Sequence, residues 1–375
     1  MKLVCPLVIL LLSTSMFSSC TKETVDIASP VQPPPVITQP NSSPRTLLDA
    51  QLVTLGSMSQ SRSNPSIVSE GNKIVIAGGE LSQGMYSSRV DIYDISTNSW
   101  ATSELSQARS NIAVVVLDKN IYFAGGRNGT SSYSSRIDIY NTVSNTWSTT
   151  DIGMVEALLS GASAGNKVVF ASGVTAHIFD ASTNSWSTAP LSQRPGEGNC
   201  CQGRVDGIAA TVINDQIYFA GGIGSDLHKA IDIYNASTNT WSTSSLIEPK
   251  GGVAGIAVNG ANFWAGGLTF GEGYRPSRQV EIRNMTSGFT MIEELFQPNA
   301  FFSAVQKNNR IVFFTGSGVE KNKFDIFDTS TNTWLIGKLT ENVEGAAIIS
   351  VNNTIYVAGG KINGALSDKF RKLDF

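Results

Sequence analysis

Asp91-Ile-Tyr-Asp-Ile-Ser-Thr-Asn-Ser-Trp100 is written several times over in this chain. Close copies are Asp138-Ile-Tyr-Asn-Thr-Val-Ser-Asn-Thr-Trp147, His177-Ile-Phe-Asp-Ala-Ser-Thr-Asn-Ser-Trp186, Asp232-Ile-Tyr-Asn-Ala-Ser-Thr-Asn-Thr-Trp241 and Asp325-Ile-Phe-Asp-Thr-Ser-Thr-Asn-Thr-Trp334, with a degraded one from Glu281 to Phe289. Upstream of each lies an apolar run ending in a small pair: Gly78-Gly79, Gly125-Gly126, Ser172-Gly173, Gly221-Gly222, Gly266-Gly267 and Gly316-Ser317. A seventh pair, Gly359-Gly360, stands near the end. The steps between the second members are 47, 47, 49, 45, 50 and 43 residues. A period in the forties built from short strands is the mark of a β-propeller, and seven marks predict seven blades.

The second unit shows how each blade divides into four strands. Asn111 to Leu117 is apolar, Asp118-Lys119-Asn120 is a tight turn, and Ile121 to Ala124 leads to the glycines. Ile137 to Tyr140 alternates apolar and polar, as a half-buried strand does. Asn141 to Thr146 is rich in side chains that bond their own backbone, and Trp147 opens the outermost strand. The constant Tyr/Phe-to-Trp spacing predicts that both aromatics enter one layer between blades. The last unit stops after its third strand at Phe375. Ser57-Met-Ser-Gln-Ser-Arg-Ser-Asn64 parallels Glu104-Leu-Ser-Gln-Ala-Arg-Ser-Asn111, so Leu52 to Ser57 is expected to supply the missing strand and close the ring.

Glycine doublet, Tyr and spaced Trp together resemble the kelch repeat over roughly residues 49–375. The resemblance implies an all-β, seven-bladed kelch-type propeller with four antiparallel strands per blade. Ser172, Ser317, Arg283 and Phe289 depart from the pattern.

The N-terminus is a separate matter. Lys2, the apolar run Leu3 to Leu12 and the small residues before Cys20 predict a secretory signal over 1–19. Phe17-Ser-Ser-Cys20 resembles the lipobox of bacterial lipoproteins, with Phe17 where Leu is commonest. That likeness implies lipidation of Cys20 and attachment to a membrane through the lipid alone. Residues 20–48, with Ser29-Pro-Val-Gln-Pro-Pro-Pro-Val-Ile-Thr-Gln-Pro40, read as an extended tether ahead of a propeller over 49–375. No apolar run after residue 19 approaches the roughly 20 residues a spanning helix needs. The net charge of −3, without a basic patch, argues against nucleic acid as a partner.

Function is expected in the loops that break the repeat. From Trp186 to Ile208 the chain runs ten residues longer than from Trp100 to Ile112, through a segment holding Arg194, Glu197, Cys200, Cys201 and Arg204. The adjacent cysteines are candidates for a vicinal disulfide, with free thiols, a soft metal or pairing with another chain as alternatives. Glu272, Tyr274 and Arg275 form a second candidate cluster. Arg62, Arg109, Arg204 and Lys250 precede innermost strands. In some kelch proteins such positions ring the channel mouth, so the resemblance permits an anion-binding channel; pairing with Asp or Glu is the structural alternative. His177 stands at the place of Asp91, Asp138 and Asp232, and a solvated strand side chain is expected there. No hydrolase triad, phosphate loop or calcium motif is visible. Galactose oxidase, which resembles this fold, needs paired His around copper, which two dispersed His cannot supply. The sequence therefore reads as a non-enzymatic, lipid-anchored envelope protein that binds a glycan or protein, with no cofactor or metal. The alternative is a small-molecule enzyme resembling sialic acid mutarotases.

Overall fold

The computed structural model describes residues 36–38 and 45–375, apart from 83, 130, 131, 154–157, 193–203, 205 and 315. Cys20, Arg194, Glu197, Cys200 and Cys201 lie outside the described residues. Among the described residues every regular element is a β-strand. Six consecutive antiparallel meanders of four strands follow the repeat. The first is Ser66–Glu70, Lys73–Ala77, Arg89–Asp94 and Ser99–Glu104, and the second is Ala113–Leu117, Asn120–Ala124, Arg136–Asn141 and Thr146–Asp151. The third opens at Ser160–Ala164, the fourth at Ala209–Ile213, the fifth at Ala254–Val258 and the sixth at Ser303–Lys307. A seventh sheet holds Ala347–Val351, Thr354–Ala358 and Lys369–Asp374, and its fourth strand is Gln51–Ser57, antiparallel to Lys369–Asp374. The arrangement is propeller-like.

The strand chemistry follows from position. Second strands are sandwiched on both faces, so Ile74, Val75, Ile76 and Ala77 are all fully buried and no polar alternation is needed. Outermost strands are mostly exposed, with only the Trp of Ser99–Glu104 or Thr146–Asp151 and one residue three positions later half-buried. Apolar clusters form between neighbouring sheets: Val75, Ala77 and Val90 of the first meet Ile121, Phe123 and Tyr140 of the second. The same holds between Ile74, Ile76 and Tyr93 of the first sheet and Tyr356, Ala358 and Phe370 of the seventh. Innermost strands pack in chain order, and Ala347–Val351 also packs against Ser66–Glu70.

The glycine pairs are where one sheet docks on the next. Gly78 has φ +64, and a Cβ there would overlap the Arg109 carbonyl oxygen; Gly79 N–H donates to that carbonyl at 2.8 Å. Gly360 N–H donates in the same way to Arg62 O at 2.9 Å, joining the seventh sheet to the first.

The expected tether boundary needs correction. Thr46–Asp49 pairs in parallel with Thr333–Lys338, matching Thr46 to Leu335 and Asp49 to Lys338. Val36–Thr38 pairs in parallel with Thr290–Asn299. The outer edges of the fifth and sixth sheets offer unpaired N–H and C=O groups, and an extended chain satisfies them. The folded part therefore takes in residues assigned to the tether.

Candidate functional site

Most letters of the repeated phrase have a structural task. Tyr93 and Trp100 are direct cross-strand partners with ring centroids 5.0 Å apart, and Tyr140–Trp147, Phe179–Trp186, Tyr234–Trp241 and Phe327–Trp334 repeat this at 4.8 to 5.2 Å. Such pairs add about 0.5–1.5 kcal/mol beyond buried area. Asp94 accepts from the Ser96 and Thr97 N–H groups and closes the turn. Asn98 takes φ +51 at the hairpin and accepts the Tyr93 hydroxyl proton at 2.8 Å. Asn145 and Asn239 do the same for Tyr140 and Tyr234.

The leading Asp is a latch between sheets. Asp91 accepts the Ser59 N–H at 2.8 Å from the crossing segment before its sheet, and Asp138, Asp232 and Asp325 accept from Ser106, Ser192 and Phe296. The same carboxylates hold a buried cation. Arg62 contacts Asp91 at 2.7 Å, and Arg109 and Arg204 pair with Asp138 and Asp232. All three guanidinium groups are fully buried and also reach strand carbonyls, Arg109 donating to Gly125 O and Arg136 O at 2.7 Å. The anion-binding expectation for Arg62, Arg109 and Arg204 thus gives way to the pairing alternative, and Lys250 is turned into its sheet without a carboxylate partner among the described residues. Lys250 is as buried, its ammonium 3.3 Å from Gln279 O, and burial pulls its pKa down to about 8. His177 needs a correction too. Its strand position is buried in the other sheets, and His177 itself is half-buried, with its pKa lowered by burial.

In the sixth sheet the latch is assembled differently. Asp325 is met by Arg45 at 2.5 Å, from the N-terminal segment. Arg45 also lies over Trp334, 4.9 Å from the ring centroid, and bonds Glu294 O. Trp334 is buried beneath this strap and donates to Glu293 at 3.1 Å. Burial outweighs Arg45 and pushes the Asp325 carboxyl up to about 7. No sequence signal placed Arg45 here, because its partner is 280 residues away.

The loop face is built from the segments after each glycine pair. Glu80–Ser82 with Met85–Tyr86, Arg127–Gly129 with Ser132–Tyr133, and Lys361–Ile362 with Ala365–Leu366 form short secondary hairpins. Ser63 and Ser110, which precede innermost strands, bridge to Glu80 and Arg127. A cavity of about 830 Å³ lies among the hairpins, lined by Glu80, Tyr86, Arg127, Lys361 and Leu366. Glu272, Tyr274 and Arg275 lie on the exposed extension of the fifth sheet, where Phe270 and Tyr274 are in ring contact at 5.9 Å. They do not line that cavity.

A second cavity, about 550 Å³, opens where the innermost strands begin and reaches Asn64, Asn111, Phe301, Ser317 and Glu344. Two residues before the first strand of six sheets the backbone is left-handed, at Asn64, Asn111, Gly207, Gly252, Phe301 and Gly345. Several of these link neighbouring sheets: Asn64 N–H donates to Gly345 O, Gly252 to Gly207 O and Phe301 to Gly252 O, at 2.7 to 2.9 Å. Asn and Gly tolerate this conformation; Phe does so only at a cost of order 1 kcal/mol. Among the described residues no group of three or more His, Cys, Asp or Glu side chains converges as a metal site.

The family model described as the Kelch motif matches residues 61–102 and 108–150. The chain carries kelch motifs. The two matched kelch segments span the first and second sheets, each from beside the latch Arg to the outermost strand. No curated protein matches the sequence.

Proposed function

We propose that this chain is a lipid-anchored, non-enzymatic binding or scaffolding protein of a bacterial envelope, recognising a glycan or protein through the loop face of a closed seven-bladed kelch propeller. The observation that carries the binding reading is the loop face itself. Two cavities open there, one among hairpins that vary between repeats and one where the innermost strands begin, on sheets locked by latches and aromatic pairs. Kelch motifs support a protein-binding scaffold. Seven blades and closure are supported by the six meanders and the seventh sheet, the strand pairing of Gln51–Ser57 with Lys369–Asp374, and the bond from Gly360 to Arg62. The lipobox-like Phe17-Ser-Ser-Cys20 supports the anchor. Against the mutarotase-like reading, the Arg residues it would use are tied to Asp91, Asp138 and Asp232.

The test is a thermal-shift screen of the full chain against neutral sugars, sialic acids and envelope extracts, beside a Tyr86→Ala/Arg127→Glu variant. Stabilisation by a sugar or an envelope protein, lost in the variant, is the expected result. Turnover of an acidic sugar overturns the binding reading. Absence of labelling by a radioactive fatty acid, with Cys20→Ser as the control, overturns the anchor.

A further inference from the structure

Phe301 breaks a rule that its five counterparts keep. Asn64, Asn111, Gly207, Gly252 and Gly345 are the residue types that suit a left-handed backbone, and Phe301 adopts φ +53 with a bulky aromatic side chain. Its ring is not packed away, being 51% exposed and lining the cavity of about 550 Å³. The neighbouring sheet makes room for it: a Cβ on Gly252 would stand 2.8 Å from the Phe301 ring. Gly252 and Phe301 form a matched pair, with the backbone bond between them fixing where the ring stands. A bulky left-handed residue whose ring stays half-exposed at the mouth of a cavity points to a ligand.

The remaining lining sets the ligand's chemistry. Asn64 and Asn111 offer amide donors and acceptors, Ser317 a hydroxyl and Glu344 a carboxylate that pairs with Lys321. No Arg, Lys or His is among the described residues lining this cavity. Such a rim suits a neutral ligand with many hydroxyl groups and disfavours an acidic one. The cavity falls within the roughly 300–1,000 Å³ typical of small-ligand sites. A sugar ring meets both demands at once, with C–H bonds on a face that stacks on an aromatic ring and hydroxyls around its edge.

We infer that Phe301 is the stacking platform of a neutral-saccharide site in this cavity, with Asn64, Asn111 and Glu344 hydrogen-bonding the sugar hydroxyls. This rests on the loop-face binding reading and names its ligand class. The test is saturation-transfer NMR on the full chain with cellobiose, chitobiose, lactose and xylobiose, each at millimolar concentration. At least one is expected to show transfer to its ring C–H protons. Phe301→Asn, which relaxes the backbone, is expected to keep or raise the melting temperature while weakening that sugar at least tenfold; Phe301→Trp is expected to retain it. Undiminished binding in Phe301→Asn, or no transfer to any of the four sugars, overturns the inference. A sugar lost only in Tyr86→Ala/Arg127→Glu would overturn the Phe301 platform and leave the loop-face reading standing. Binding of an envelope protein weakened by Phe301→Asn, with every sugar silent, would overturn the saccharide inference and leave the loop-face reading standing.

Discussion

The second and sixth sheets solve one problem in two ways. Each carries a buried Asp on its third strand that accepts a backbone N–H from the crossing segment before it, and that carboxylate needs a cation. In the second sheet the cation is Arg109, 29 residues from Asp138 and placed by the sheet's own entrance. In the sixth, the corresponding segment Asn299-Ala300-Phe301 has no cation, and Arg45 arrives from the N-terminal strap. The borrowed cation also covers Trp334, whereas Trp147 stays half-buried. A latch built from one repeat is inherited with that repeat; one built across the chain is a dependency.

Four experiments break or sharpen the contrast. Removing residues 45–57 strips both the strap and the fourth strand of the seventh sheet, and is expected to abolish cooperative thermal unfolding; an unchanged transition would refute the assigned pairing. Arg109→Ala leaves Asp138 buried without its partner, and a loss of about 3–5 kcal/mol in urea unfolding is expected. Arg45→Ala should cost less, about 1–3 kcal/mol, because Asp325 can take a proton instead. The sign comes from its raised pKa. Folded Asp325 holds a proton between about pH 4, where the unfolded side chain titrates, and about 7, so this group's contribution to stability falls as pH rises through that window. Losing Arg45 raises the carboxyl further, so the deficit should widen between pH 5 and pH 8; a constant deficit would contradict the proton exchange.

The smallest effect is expected at Lys250, whose ammonium has only Gln279 O within hydrogen-bond reach among the described residues. Lys250→Met should lie within about 1 kcal/mol of the parent, since an apolar side chain needs no charge burial. With the folded ammonium titrating at about 8 and the unfolded one near 10.4, the parent should gain stability as pH rises between those values. The Met variant should lack that gain, and a similar rise in both would place its origin elsewhere.

Much of the architecture was legible because it is local and repeated. The hairpin between Tyr93 and Trp100, the Asn98 turn and the glycine docking points each use residues close in the chain, so their spacing survives from copy to copy. The match of Ser57–Asn64 to Glu104–Asn111 also exposed the strand that Gln51–Ser57 adds to the seventh sheet. The Arg role was half legible. The positions before the innermost strands stood out, but only depth distinguishes a channel-facing guanidinium from one folded back onto Asp91 or Asp138, and sequence carries no depth. The strap was hidden by the prolines around it, which read as tether although Thr46–Asp49 contains none.

The sequence alone determined the strands within each repeat and the aromatic pairs, because hairpin geometry is a property of neighbouring residues. Tertiary structure decided which cation meets which carboxylate, that Arg45 covers Trp334, and that Phe301 occupies a left-handed position at a cavity mouth. Those depend on which residues from distant repeats arrive at the same depth, and no spacing along the chain records that.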